Sequence, residues 1–335
     1  MSETNEEVIA ILCADIHLQA QPPIWRSAEP DWYEAMQRPL DEIKALQKQT
    51  GRNCPVLCAG DIFDKWYGAV GKQSSELINW ALKHLPDHMY CIPGQHDLPD
   101  HNYEQIWRSA YSTLVRAGKI KDIQFGLEEI VELGGGRYGQ GLLDNGEVCT
   151  DDIRVYGFPY GLPLRPLENR NKRHFHIALA HEYIWMTGHS YPGAPKEGHL
   201  KTKVSKIKNQ MWNGYDVVVY GDNHKGFLGY LATTAIFNCG TLMRRASDEI
   251  DYKPRVGLLY EDGTIKPHYL DTSKDKYIEK VEDAPLEEMD MSEFIEELKK
   301  LGETGLEFTK RVERFFKKNK TRKVVRNIIR KGMEE

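Results

Sequence analysis

Residues 54–64 read CPVLCAGDIFD, a short apolar run that stops at Gly60 and is followed by Asp61 and Asp64. A run of this length and composition reads as a strand buried on both faces. The same pattern recurs on either side of it. VIAILCADIH (8–17) ends in Asp15 and His17, and MYCIPGQHD (89–97) ends in Gln95, His96 and Asp97. HIALAHE (176–182) ends in His181 and Glu182, and DVVVYGDNH (216–224) ends in Asp222, Asn223 and His224. Between the first three runs lie helical spacings. Trp32, Ala35, Met36, Leu40, Ile43 and Leu46 recur over 32–49, with a weaker pattern over 74–85. Strand–helix alternation predicts βαβ units around a largely parallel sheet. In such sheets ligands sit beyond the carboxyl ends of the strands. All five polar clusters stand at such ends, so residues spread from 15 to 224 are expected to converge on one site. Taken singly, a strand-end Asp also reads as a helix cap or turn residue, and a lone His as a hydrogen-bonded structural residue. Five such clusters together read as a metal site, and carboxylate with imidazole suits Mn, Fe or Zn.

The chain of 335 residues has room for one large domain with an appendage, or for two domains. Its 40% hydrophobic and 28% charged content belongs to a globular protein. No apolar run approaches the roughly 20 residues that span a bilayer. The opening MSETNEEV lacks the basic and apolar regions of a secretory signal, so a cytoplasmic location without membrane contact is expected. A net charge of −5 excludes a uniformly basic coat but not a local basic groove. Of the six cysteines, Cys13, Cys58, Cys91 and Cys239 lie in apolar runs and read as reduced, structural thiols. Cys54 and Cys58 are the closest pair, and no second pair stands at zinc-site spacing.

In order along the chain, D-x-H, G-D-x-x-D, G-x-H-D, a strand-end H and G-x-x-H resemble the motifs of the calcineurin-like metallophosphoesterases. The resemblance implies an α/β, four-layer sandwich of two mixed β-sheets flanked by helices, with a dinuclear metal centre. In detail, DIHL, GDIFD, PGQHD and AHE look most like SbcD-type recombination nucleases. That likeness implies a DNA nuclease working with an SMC-like ATPase, SbcC, in end processing. Phage-encoded relatives are common in that subfamily, and a chain of this size suits one, which would place it in a host cytoplasm. Carried over by position, Asp15, His17 and His224 resemble ligands of a first metal, and Asp61 resembles a carboxylate bridging to a second. His181 resembles a ligand of that second metal, with Gln95 and Asp222 at its other two positions. His96 resembles the acid–base histidine, with Asp97 orienting it. Asp64 reads as a supporting or capping residue.

Two positions depart from the family, which usually has Asn at Gln95 and His at Asp222. Both fall on the second metal, and both replacements still offer an oxygen donor, which reads as a retuned site. Asp15, Asp61 and Asp222 set three negative charges against two divalent ions. That hard, anionic set favours Mn²⁺, with Mg²⁺ fitting the second position, over Zn²⁺. Gln95 either ligates directly or points away and leaves the position to water.

TAIFNCG (234–240) and RVGLLYEDGTIKPHYL (255–270) read as antiparallel strands closing the second sheet, with a turn at Asp262–Gly263. ELGGGRYGQG (132–141) reads as a hairpin turn. In 186–208, Lys201, Lys203, Lys206 and Lys208 read either as phosphate contacts or as a solvated loop entering a helix; His189 and His199 read as surface residues. Past residue 270 the composition shifts: 271–300 carries eleven acidic and five basic side chains, and 301–335 the reverse. SEFIEELKKL, with Ser292 as N-cap, and VVRNIIRKGM are helical patterns. We therefore divide the chain into a nuclease domain, 1–270, and a charged helical region, 271–335. By resemblance the latter docks on the ATPase; its basic end equally fits DNA, and the helices also read as ordinary charged surface. A homodimer is compatible with the family.

Overall fold

The computed structural model describes residues 7–50, 54–65, 74–123, 128–131, 141–142, 148–149, 153–168, 170–171, 174–184 and 212–278. They belong to the first of two units, Met1–Asp283; the second, Ala284–Glu335, lies outside the described residues.

The apolar runs become strands. β1 (Val8–Cys13), β2 (Val56–Cys58), β3 (Met89–Cys91) and β4 (Ile120–Asp122) pair parallel in that order. Their connections carry α1 (Trp32–Gln49), α2 (Ser75–His84) and α3 (Ala110–Arg116). The six residues that give 32–49 its helical spacing are all buried in α1, and Asp31 caps the helix by accepting from Glu34 N at 3.0 Å. Ser74 does the same for α2 through Leu77 N at 3.1 Å.

The second sheet takes β5 (Glu128–Val131), β8 (Ile153–Phe158), β9 (Phe175–His181), β10 (Val217–Gly221), β11 (Phe227–Leu231) and β12 (Thr234–Asn238), while β6 (Gly141–Leu142) and β7 (Val148–Cys149) form a separate two-stranded ribbon. Its order is β11-β12-β10-β9-β8-β5. β8, β9, β10 and β12 run parallel to their neighbours, and β5 and β11 are antiparallel edges. Alternation along β9 and β10 explains the layering. Ile177, Leu179, Val217 and Val219 face the first sheet and its helices in one core. Ala178, Ala180, Val218 and Tyr220 face outward into a second core with Leu164, Ile184, Trp212 and Tyr215. Two mixed six-stranded sheets with few helices are the fold expected.

One placement differs. β13 (Arg255–Tyr260) and β14 (Ile265–Tyr269) form the hairpin expected, turning at Asp262–Gly263. However, β13 lies antiparallel to β1 at the edge of the first sheet, and β12 pairs parallel with β10. β1 has only β2 on its other side, so its free edge takes the hairpin. Gly257 allows the approach: a Cβ there would stand 2.8 Å from the Phe237 ring of β12. The chain between β12 and β13 must therefore cross from one sheet to the other, and it passes the strand ends as it does.

Cys13, Cys54, Cys58, Cys91 and Cys239 are buried thiols outside any disulfide. Among the described residues no helix is long and apolar enough to cross a membrane. The turn at 132–140, Lys201, Lys203, Lys206, Lys208, His189, His199 and the helical patterns beyond 278 lie outside the described residues.

Candidate metal centre

Three of the strand ends turn through left-handed backbone at non-glycine residues: Asp15 (φ 52°) and His17 (φ 53°) after β1, Asp61 (φ 55°) after β2 and Asp222 (φ 80°) after β10. Such conformations are sparse for residues with a Cβ and gather at functional sites. Three of the four, Asp15, His17 and Asp61, are residues whose donor atoms gather in one cluster. The same packing explains Gly94, where a Cβ would stand 2.1 Å from Asp61 Oδ1.

The five clusters meet. The donor atoms of Asp15, His17 and His224 lie within 4.8 Å of one another, as do those of His17, Asp61 and His96, and those of Asp15, Asp61 and His181. Asp61 Oδ2 is central, 3.3 Å from His181 Nε2 and 3.9 Å from both His17 Nε2 and His96 Nε2. Asp15, His17, Asp61 and His181 are almost fully buried, whereas the His96 side chain is 35% exposed.

This arrangement fits cations. Asp15 Oδ2, Asp61 Oδ2 and His181 Nε2 are buried with no hydrogen-bond partner, although buried polar atoms are normally satisfied. His181 Nδ1 donates to Ala59 O at 2.6 Å, which sets Nε2 as the nitrogen that faces Asp61 at 3.3 Å and would ligate a cation. His224 Nδ1 donates to Glu249 Oε1 at 2.9 Å, which leaves His224 Nε2 facing His17 Nε2 at 3.1 Å. Two imidazole nitrogens about 2.0–2.1 Å from one cation, at roughly 100°, stand that far apart.

The charges agree. Burial, with Arg245 next, holds His17 well below its ordinary range, which keeps it a neutral ligand. Burial pushes Asp15 up to about 7 against the pull of His224 and His181. Burial acts to raise Asp61 too, but His181 and then His96 keep it below the usual carboxylate range.

Three residues do something other than expected. Gln95 and Asp222, taken from the sequence as separate donors to a second metal, are joined: Gln95 Nε2 donates to Asp222 Oδ1 at 2.8 Å. Asp222 belongs to none of the three donor groups, and its backbone N donates to Asp15 Oδ1 at 3.0 Å. Asp97 does not orient His96. Its Oδ2 accepts from Ile62 N (3.2 Å) and Gly94 N (3.0 Å), and its Oδ1 from Phe63 N (3.0 Å). Three buried amides claim the carboxylate, so Asp97 is the turn cap that ties the Asp61 loop to the His96 loop.

Sequence reasoning missed Glu249 and Arg245. Both lie on the crossing between β12 and β13. Glu249 follows no strand, and its only signal is an acidic residue shortly after an arginine pair in NCGTLMRRASDE.

Residues 10–226 match the family described as calcineurin-like phosphoesterase. No curated protein matches the chain. Among solved structures, the chain is similar to the sulfate thiohydrolase SoxB of Thermus thermophilus at 11% identity, over 84% of this chain and 60% of that one, with a TM-score of 0.45. It is similar to a putative 5′-nucleotidase from Staphylococcus aureus at 12% identity, over 78% and 52%, with a TM-score of 0.41. An archaeal phosphodiesterase gives 12% identity over 80% and 96%, with a TM-score of 0.31. The chain thus spans 60% of the first of these structures and 52% of the second.

Proposed function

Because this chain belongs to the calcineurin-like phosphoesterases, we propose that it is a dinuclear, metal-dependent phosphodiesterase acting on DNA, the nuclease subunit of an SbcCD-type end-processing complex. The observation that carries the hydrolytic reading is the set of buried, unpartnered ligand atoms on Asp15, Asp61 and His181, beside the His17 and His224 Nε2 atoms 3.1 Å apart. The DNA reading rests on DIHL, GDIFD, PGQHD and AHE standing together in one chain.

Asp15, His17, His224 and Asp61 would hold one cation; Asp61, His181 and the Gln95–Asp222 pair would serve the other. Divalent ions, Mn²⁺ favoured and Mg²⁺ fitting the second position, supply a water nucleophile at neutral pH and neutralise charge on the phosphoryl oxygens when bound. His96 lies at the open side of the cluster, where its ring can give a proton to the departing oxygen. The region 271–335 would dock an SbcC-like ATPase, with the domain boundary near residue 270, and a homodimer fits the same scheme.

End-labelled single- and double-stranded DNA incubated in Mn²⁺, Mg²⁺ and EDTA tests the reading. Cleavage in Mn²⁺ that EDTA abolishes is expected. Hydrolysis of small chromogenic phosphoesters with intact DNA would replace it with a small-molecule or protein phosphoesterase. Fewer than two bound ions and no hydrolysis at all would make the chain a scaffold. Truncation at residue 290 should lose capture of the ATPase; unchanged capture would remove the docking role.

A further inference from the structure

The two histidines at the first cation position turn their outer nitrogens to two different carboxylates. Asp64 Oδ1 lies 3.5 Å from His17 Nδ1, which has no hydrogen-bond partner. Glu249 Oε1 accepts from His224 Nδ1 at 2.9 Å. These carboxylates come from distant parts of the chain, yet the same residue holds both. Arg245 Nη1 donates to Asp64 Oδ1, and the Arg245 backbone N donates to Glu249 Oε2 at 2.6 Å. Ala246 N adds a second amide to that oxygen at 3.0 Å. The side chains of Arg245 and Asp64 are each 13% exposed, and that of Glu249 is 7% exposed, so solvent does little to loosen the arrangement.

We propose that Arg245 is a positioning residue that fixes the orientation of both imidazoles at the first cation position, through Asp64 on His17 and Glu249 on His224. This rests on reading Asp15, His17 and His224 as ligands. A carboxylate on the outer nitrogen of a ligating histidine sets its tautomer and aims its lone pair, and losing such a partner typically costs about 10–100-fold in metal affinity. The guanidinium also anchors the start of the segment that carries Glu249. Loss of the Asp64 contact therefore loosens the Glu249 arm as well, although the backbone amide remains. His181 supplies an internal control. Its outer nitrogen donates to the Ala59 carbonyl, outside the reach of Arg245, so the second position should not respond.

Calorimetric titration with Mn²⁺, together with the visible absorption of the Co²⁺-loaded protein, tests this on the full-length chain. Wild type should bind two ions. Arg245→Met should weaken the first by about 10–100-fold, alter the Co²⁺ absorption and leave the second ion's affinity unchanged. Arg245→Lys keeps a cation for Asp64 and should recover most of the loss. Glu249→Gln retains the volume, gives up the charge that both amides and His224 share, and should weaken the same ion. Wild-type affinity for both ions in Arg245→Met overturns the clamp alone. Should Arg245→Met not fold, wild-type affinity in Glu249→Gln overturns it instead. A wild-type protein that binds no metal overturns the ligand reading, and the clamp with it.

Discussion

Asp97 and His96 are neighbours in PGQHD, but the structure gives them separate work, and substitution should part them. Asp97→Ala leaves the buried amides of Ile62, Phe63 and Gly94 without an acceptor. Each such loss costs about 1–3 kcal/mol, so urea denaturation should show a destabilisation of roughly 3 kcal/mol or more. An unchanged midpoint would refute the cap. The His96 side chain is 35% exposed, 3.9 Å from Asp61 and edge-on to the His17 ring with centroids 5.1 Å apart. His96→Ala should keep the melting temperature and two bound ions while lowering DNA hydrolysis by about 10²–10⁴-fold; full activity would sink the general-acid role. At this scale the sequence was readable in placement: Asp15, His17, Asp61, His181 and His224 stand at strand ends, and their donor atoms gather in space. It was not readable where a partner decides. Asp97 could be a cap or an orienter until its amides were seen. Gln95 and Asp222, 127 positions apart, could be read as two changes at one metal but not as a hydrogen-bonded pair.

The strands and helices of the first half follow from local pattern, because each βαβ connection pairs consecutive strands and leaves little choice of partner. The later hairpin had such a choice. Its turn and register were local information, but the sheet it would join depended on which edge stood open, and periodicity does not carry that. The same limit hides the short strap after β14, residues 271–278, which stands at the head of the acidic stretch 271–300 and so reads as the start of an appendage. Asp275 instead accepts from Arg26 (2.9 Å), Arg38 (3.1 Å) and Arg244 (3.2 Å), and the Tyr277 ring lies between the Arg26 and Arg244 guanidiniums at 5.0 and 4.9 Å. Glu29 is the other carboxylate of the group, accepting from Arg26 Nη2 at 2.5 Å and Arg38 Nη2 at 2.9 Å. Removing one partner of a buried ionic group strands the rest, at about 3–5 kcal/mol. Asp275→Ala should therefore destabilise the first unit by that order, and should make the strap open to limited proteolysis. A thermal midpoint equal to wild type would show that the strap adds nothing to the fold. Because Arg244 adjoins Arg245, the same variant should also weaken the first cation by a smaller factor than Arg245→Met.

Across the whole molecule, convergence was the most legible property: five strand ends could meet only if the strands shared two facing sheets, and they do. That convergence buries several ionisable groups in one place, which makes the metal-free fold sensitive to pH. Asp15 at about 7 and Asp97 at about 8, both raised chiefly by burial, keep protons that an unfolded carboxyl, near 3.9, has lost. Burial works to lower His181 and His224, but Asp61 for the one and Glu249 for the other raise them overall, so they also hold protons longer when folded. Wherever the native state binds more protons than the unfolded chain, stability falls as pH rises. His17, lowered by burial, acts in the opposite sense, but only as pH falls through its unfolded value of about 6.5. Between pH 6.5 and 8 the first group prevails. Each pH unit over which one extra proton is held costs about 1.4 kcal/mol, or about 2–4 °C in a domain of this size. Divalent cations would take the place of those protons, so the stabilisation they confer should grow over the same range. Scanning calorimetry of EDTA-dialysed and Mn²⁺-loaded protein at pH 6.5 and 8 measures both. The metal-free midpoint should fall with pH and the gap between the two forms should widen; a metal-free midpoint that holds or rises would mean that these groups do not share the protons that the buried cluster requires of them.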